Sequence, residues 1–361
     1  MLRGDGPILP GLALAAAIGV ACGVLVWQGN PGNMGICGAC FLRDVTGALG
    51  MIEKPRIFRP EVAGVMLGAL AWVVAARRYG ARSGSFAVTR FFFGTWMAIG
   101  ALVFLGCPFR MLQRIGGGDM NAVIGAGGFL AGVGLGHFFE RRGYTVGRTQ
   151  VVAAPVGLVG PAVAVIVLLL FVGRMLKGPP PGSTDKPDHA KWLVALAISG
   201  VAGIALSATG FCAVSAARQI FLKRKRMLLA ALLLIAGYAA VAIATGGFRG
   251  SFGGQPIAHR DVAWSVLAMA LVGLCGVLAG GCPVRQMVMA GEGNGDAFMT
   301  VAGITAGGAI AHNLGLVSTS DAPSIAGGPT ELGKWAVGIG LAVALAYATG
   351  ITFGRREPAS S

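Results

Sequence analysis

Long apolar runs, broken by short basic or glycine-rich stretches, set the pattern of this chain. Runs long enough to cross a bilayer fall at 10–28, 60–79, 91–106, 120–139 and 152–172. A second set falls at 192–209, 227–245, 262–281, 297–316 and 335–353. About 20 helical residues cover roughly 30 Å of hydrocarbon, so each run reads as one span, the third extending back to Arg90. Between them lie four segments too short to cross yet too apolar for ordinary loops, near 35–44, 107–115, 210–222 and 282–290. Non-helical backbone survives at membrane depth only where protein or a water-filled cavity satisfies it, so these segments predict short re-entrant half-helices. The expected fold is an all-α integral membrane protein of about ten transmembrane helices.

The landmarks repeat. A shift of 175 residues carries Cys37 onto Cys212, Arg43 onto Arg218, Cys107-Pro108 onto Cys282-Pro283, Arg110 onto Arg285 and His137 onto His312. Gly35, Gly106, Gly128 and Gly132 fall on Gly210, Gly281, Gly303 and Gly307 by the same shift. The chain therefore divides into a first membrane repeat (1–175), a polar Pro-rich connector (176–190) and a second membrane repeat (191–361). Five spans per half is an odd number, so the copies enter the membrane from opposite faces. That inverted-repeat plan is common among secondary transporters.

Composition narrows the class. The chain has 361 residues, of which 55% are apolar and 12% charged, and its mean hydropathy is +0.74. Soluble domains carry about 25% charged residues, which excludes a water-soluble fold. The 61 glycines suit close helix packing and broken helices. A net charge of +15 comes largely from clusters such as Arg77-Arg78, Arg141-Arg142 and Lys223-Arg224-Lys225-Arg226, which flank apolar runs. They read as membrane anchors, not as a nucleic-acid surface, and their bias places both termini in the cytoplasm. Seven cysteines, mostly at the ends of apolar stretches, do not form a secreted disulfide framework. The first apolar run opens the membrane domain and carries no convincing cleavable signal.

The chemistry concentrates in Gly-Ile-Cys37-Gly-Ala-Cys40, Gly-Cys107-Pro-Phe-Arg110, Gly-Phe-Cys212 and Gly-Cys282-Pro-Val-Arg285. Proline suits the first helical turn, where no amide donor is required, so each Cys-Pro places its thiol at a helix N-cap. Helix N-termini attract anions through free amides and a partial positive charge. Thiols are soft and polarizable. Together they suit an anion with a terminal sulfur or selenium, its charge offset by Arg110, Arg285, Arg43 and Arg218. Several weak sites in series permit both capture and release.

Other readings bear on single residues. Cys22 and Cys275 lack such company and read as packing residues, small hydrophobes in apolar helices. Cys37 and Cys40 form a C-x-x-C pair, open to a redox role, but the repeat mate of Cys40 is Ser215 and no second pair completes a zinc site. His137 and His312 occupy matched positions inside spans, either as packing residues or on the pathway. Asp119 and Asn121, matched by Asn294 and Asp296, read as caps of the helices that follow. Gly116-Gly117-Gly118 lacks the Lys-Ser/Thr of a phosphate-binding loop, so direct use of ATP is not expected, nor is a cofactor.

With its paired Gly-x-Cys and Gly-Cys-Pro motifs in this order and spacing, nearly the whole chain resembles the YeeE/YedE family of bacterial inner-membrane proteins. The resemblance implies thiosulfate uptake through an hourglass of inverted repeats, in which cysteines at a central constriction pass the ion inward. Carried over, it singles out Cys37, Cys107 and Cys282, with Cys212 added by repeat symmetry. The stretch 33–44, with its extra Cys40 and adjacent Arg43-Asp44, looks most like the YedE-type branch associated with selenium metabolism. The resemblance also implies a cytoplasmic sulfur-carrier partner of the SirA/TusA type. The reading is therefore a non-enzymatic transporter, with a membrane thiol oxidoreductase using Cys37 and Cys40 as the alternative.

Overall fold

The computed structural model describes residues 8–54, 56–176, 189–322 and 326–354. Most of the expected connector, at 177–188, lies outside the described residues, as do Arg3, Arg355 and Arg356 at the termini. The first half contains α1 (Ile8–Trp27), α2 (Gly38–Ala48), α3 (Pro60–Ala75), α4 (Ala87–Val103), α5 (Pro108–Gly116), α6 (Met120–Arg141), α7 (Ala154–Gly157) and α8 (Val159–Val172). The second contains α9 (Trp192–Thr209), α10 (Ala213–Phe221), α11 (Arg226–Ala244), α12 (Val262–Leu278), α13 (Pro283–Gly291), α14 (Gly295–Asn313) and α15 (Glu331–Phe353). Two dipeptide strands, β1 (Arg82–Ser83) and β2 (Gln150–Val151), pair antiparallel outside the helices.

Among the described residues, seven helical segments are long and apolar enough to cross a membrane: α1, α4 with α5, α6, α9 with α10, α11, α12 with α13, and α15. Of the ten expected runs, that at 297–316 gives α14, which is 19 residues long but not apolar enough to join this set, and those at 60–79 and 152–172 give shorter helices. At 1.5 Å per residue, α3 and α8 reach only about 24 Å and about 21 Å. Pro155 and Pro161 explain the second: each lacks an amide donor, so the run divides into α7 and α8. The third run starts earlier than its apolar core, at Ala87, and buries Arg90, whose Nη1 donates to Ala279 O at 2.8 Å.

Glycine sets how closely the long helices approach. A Cβ on Gly128 of α6 would stand 2.1 Å from Val266 O of α12, and one on Gly303 of α14 would stand 2.1 Å from Phe91 O of α4. These contacts are repeat mates, since the 175-residue shift carries Gly128 to Gly303 and Phe91 to Val266. One turn on, Gly132 meets Ala270 O and Gly307 meets Thr95 O, so α6 runs parallel to α12 and α14 parallel to α4. Each of these helices packs most extensively on a member of the other half.

The breaks ahead of the short helices have a local cause. Leu105 (φ 61°), Gly210 (φ 66°) and Gly280 (φ 88°) take left-handed backbone and end α4, α9 and α12. Right-handed helix cannot continue through such a residue, and Pro108 and Pro283 restart it at the first turn of α5 and α13. The expected caps are half right. Asp119 accepts from Asn121 N and Ala122 N at the start of α6, and Asn294 from Ala297 N at the start of α14. Asn121 and Asp296 instead tie elements together: Asn121 Nδ2 donates to His259 O, and Asp296 Oδ1 accepts from Gly84 N.

Candidate functional site

Four cysteines cap the four short helices. Cys37, Cys107, Cys212 and Cys282 are the N-caps of α2, α5, α10 and α13, all in extended backbone. The helices are 11, 9, 9 and 9 residues long, and the amides of their first turns have no intrahelical acceptor. Each cap therefore sets a soft sulfur beside free N–H groups at the positive end of a helix dipole.

The caps come together in pairs. Cys37 Sγ lies 3.5 Å from Cys107 Sγ, and Cys282 N donates to Cys212 Sγ at 3.5 Å. The members of each pair are 70 residues apart in sequence: Cys37 and Cys107 lie in the first half of the chain, Cys212 and Cys282 in the second. Contacts between the pairs close the group. Gly38, the first residue of α2, packs so tightly on Pro283 of α13 that a Cβ would stand 2.6 Å from Pro283 Cβ. Phe109 of α5 meets Phe211 edge-on, with ring centroids 6.1 Å apart. All seven cysteines are free thiols, and the four caps are at most 1% exposed. Cys40 lies on the first turn of α2, and its N–H donates to Cys37 Sγ at 3.4 Å.

The arginines are placed unequally. Arg110 is fully buried and donates to the carbonyls of Asn33, Leu105, Gly32 and Pro256. Its mate Arg285 forms a two-pronged ion pair with Glu292, at 3.0 and 3.1 Å, and Glu292 also accepts from Ser207 Oγ. Carbonyl oxygens solvate a guanidinium without cancelling its charge, whereas a carboxylate cancels it. The first repeat thus keeps a positive charge that the second neutralises. Neither guanidinium donates to a thiol: both fasten the chain near the caps.

Arg43 and Arg218 meet the histidines. Arg43 pairs with Asp44 at 2.7 Å and lies 3.0 Å from His312 Nε2. Arg218 pairs with Glu140 at 2.9 Å, and Glu140 lies 3.7 Å from His137 Nδ1. In both clusters the arginine of one repeat's short helix meets the histidine side of the other repeat's long helix. The histidines thus stand with the arginines and not among the thiols.

Some residues that shape the site carry no repeat signal. Gln113 on α5 accepts from Gly35 N at 2.8 Å and donates to Ile36 O at 2.6 Å, which fixes the segment leading to Cys37. Its mate, Val288, can do neither. Behind α2 lies a cavity of about 250 Å³ lined by Leu42, Val45, Phe58, Val62 and Val301, with no cysteine in its wall. Its wall is almost wholly apolar, and the hydroxyl of Thr305, which also lines it, donates to Val301 O.

A family model described as Sulphur transport matches residues 208–359, a stretch that contains Cys212, Arg218, Cys282, Arg285 and His312. Over this stretch the chain is similar to the sulphur-transport family. No curated protein matches it. That match and the several helices long and apolar enough to cross a membrane support a multi-pass membrane protein of sulfur-related transport. The match lies in the second half of the chain; the first half corresponds to it by the 175-residue shift of Cys37, Arg43, Cys107, Arg110 and His137.

Proposed function

We propose that this protein takes up a small anion with a soft terminal sulfur or selenium, thiosulfate or a selenium counterpart, along a path between the paired thiols. The observation that carries the proposal is the convergence of four cysteine-capped helix N-termini, with Cys37 Sγ and Cys107 Sγ 3.5 Å apart. Amides and helix dipoles offset the ion's charge, Arg110 adds a buried positive charge, and thiols contact the soft end. Weak contacts repeated in series permit transfer from one pair to the next.

In this reading the two halves are inverted copies that supply about ten spans, and α2, α5, α10 and α13 are re-entrant half-helices. The swapped glycine contacts of Gly128 and Gly303 support it, because an internal two-fold relation generates such matched pairs. The buried caps represent a closed state. The membrane is the bacterial inner membrane, with cytoplasmic termini, and a SirA/TusA-like carrier receives the ion inside. Uptake into proteoliposomes containing the purified chain, with thiosulfate, selenite, selenosulfate and sulfate in competition, tests the reading. Thiosulfate or selenosulfate is expected to compete and sulfate, which lacks a soft terminal atom, is not.

A second reading, a membrane thiol oxidoreductase, has one observation in its favour: Cys37 Sγ touches both Cys107 Sγ and the Cys40 amide. It requires a reversible disulfide coupled to turnover. Unchanged transport in Cys40→Ser separates the carrier from the enzyme.

A further inference from the structure

Glu61, at the start of α3, is fully buried, and its two oxygens are treated differently. Oε1 accepts from Asn30 Nδ2 at 2.6 Å, while Oε2 meets no hydrogen-bond donor. The other buried carboxylates have partners at their oxygens: Asp44 has Arg43 and Arg59, Asp119 has Arg114, Glu292 has Arg285, and Asp296 has the amides of Gly84 and Ser85. A second bare polar atom lies in the same cluster. His189, also buried, contacts Ala190 O through Nδ1 at 2.7 Å, but its Nε2 has no partner. Ala190 N donates to Asn30 Oδ1 at 2.9 Å, so Asn30 joins the Glu61 side of the cluster to the His189 side. Lys191 is exposed, so the chain reaches solvent within two residues of His189. The groups facing Glu61 are thus Asn30 from the segment after α1, His189 from the segment before α9, and Arg59 from its own end of α3.

We infer that Glu61 is a proton-carrying site, with His189 as its relay to solvent, and that one proton enters with each anion. Protonation supplies the hydrogen that Oε2 lacks, and buried ionisable groups in membrane segments are functional sites by default. The link to the pathway is Asn30, whose Nδ2 also donates to Gly35 O at 3.0 Å. Gly35 begins the short segment that ends at the Cys37 cap. A proton on Glu61 replaces a charged acceptor with a neutral one at Asn30, which weakens that hold and frees the Gly35–Cys37 segment to move. The charge balance favours this arrangement, because an inside-negative potential opposes every negative charge brought in and a companion proton cancels one.

The inference rests on the transport reading above. It is tested in proteoliposomes that trap a pH-sensitive dye, with thiosulfate added outside; the conjugate acid of thiosulfate is strong, so unaided leakage of a neutral acid contributes nothing. Wild-type protein is expected to acidify the lumen as thiosulfate enters and to import several-fold faster when the outside is made acidic. Glu61→Gln, which keeps the acceptor for Asn30, is expected to lose both the acidification and the gradient response. If that variant does not fold, the wild-type dye trace decides alone. Thiosulfate uptake without acidification overturns this inference and leaves transport standing. So does a Glu61→Gln protein that keeps the gradient response. Vesicles that import no thiosulfate at all overturn both.

Discussion

Cys37 Sγ and Cys107 Sγ lie 3.5 Å apart at the tips of two helices that are 70 residues apart in sequence. That distance is a contact between thiols, well beyond the roughly 2.05 Å of a disulfide. Mild oxidation is therefore expected to cross-link them in a Cys40→Ser background. The bond would pin α2 to α5 and stop uptake, with recovery on adding reductant. Mass spectrometry of the linked peptides and an uptake assay check both halves of the statement; cross-linking with no loss of flux would count against a moving contact.

The Arg285–Glu292 pair predicts a stability defect. Removing one partner of a buried ion pair leaves the other charged and uncompensated, which costs about 3–5 kcal/mol. Glu292→Gln is expected to lower the melting temperature in detergent far more than Lys334→Gln, which breaks an exposed pair with Glu331. Equal melting temperatures would show that the buried pair carries no such load.

Gly128 and Gly303 have no room for a methyl group. With a Cβ only 2.1 Å from a carbonyl oxygen, Gly128→Ala or Gly303→Ala forces the helices apart, and overpacking of this kind costs about 1–3 kcal/mol. Both variants are expected to melt early, while Gly127→Ala, which faces open space, is not. Thermal unfolding of the three side by side provides the comparison.

A pH dependence is expected from His259, in the segment between α11 and α12. Burial pushes its imidazole below the ordinary value of about 6.5, and nearby Arg114 adds to this against the hydrogen bond to Val103 O. A base with a lowered value in the folded state binds its proton sooner when unfolded. Its contribution to stability is complete above about 6.5 and is lost as pH falls toward the folded value. Melting temperature is expected to drop between pH 7 and pH 5, and His259→Asn is expected to flatten that part of the profile.

The sequence reading reached the caps and missed their counter-charges, for one reason. Left-handed breaks and Cys-Pro restarts are written locally, so Gly210, Gly280, Pro108 and Pro283 mark the short helices without reference to the rest of the chain. The 175-residue correspondence then selects whatever both halves share, which brings out Cys37, Cys107, Cys212 and Cys282. By the same logic it hides whatever only one half has. Glu140, Gln113, Glu292 and Asn30 have Gly315, Val288, Gly117 and Ala205 at their matched positions. These unrepeated residues distinguish the two pairs of thiols electrostatically, and they act through neighbours distant in sequence. Span length was legible only in part, because apolar content does not register Pro155 and Pro161 inside the fifth run.

Initial uptake of radiolabelled thiosulfate by proteoliposomes of wild-type and Cys107→Ala protein, matched for folded content, tests the thiol pathway most directly. The pathway predicts saturable uptake by the wild type and a fall to the level of empty vesicles in the variant. Undiminished uptake by Cys107→Ala would contradict it.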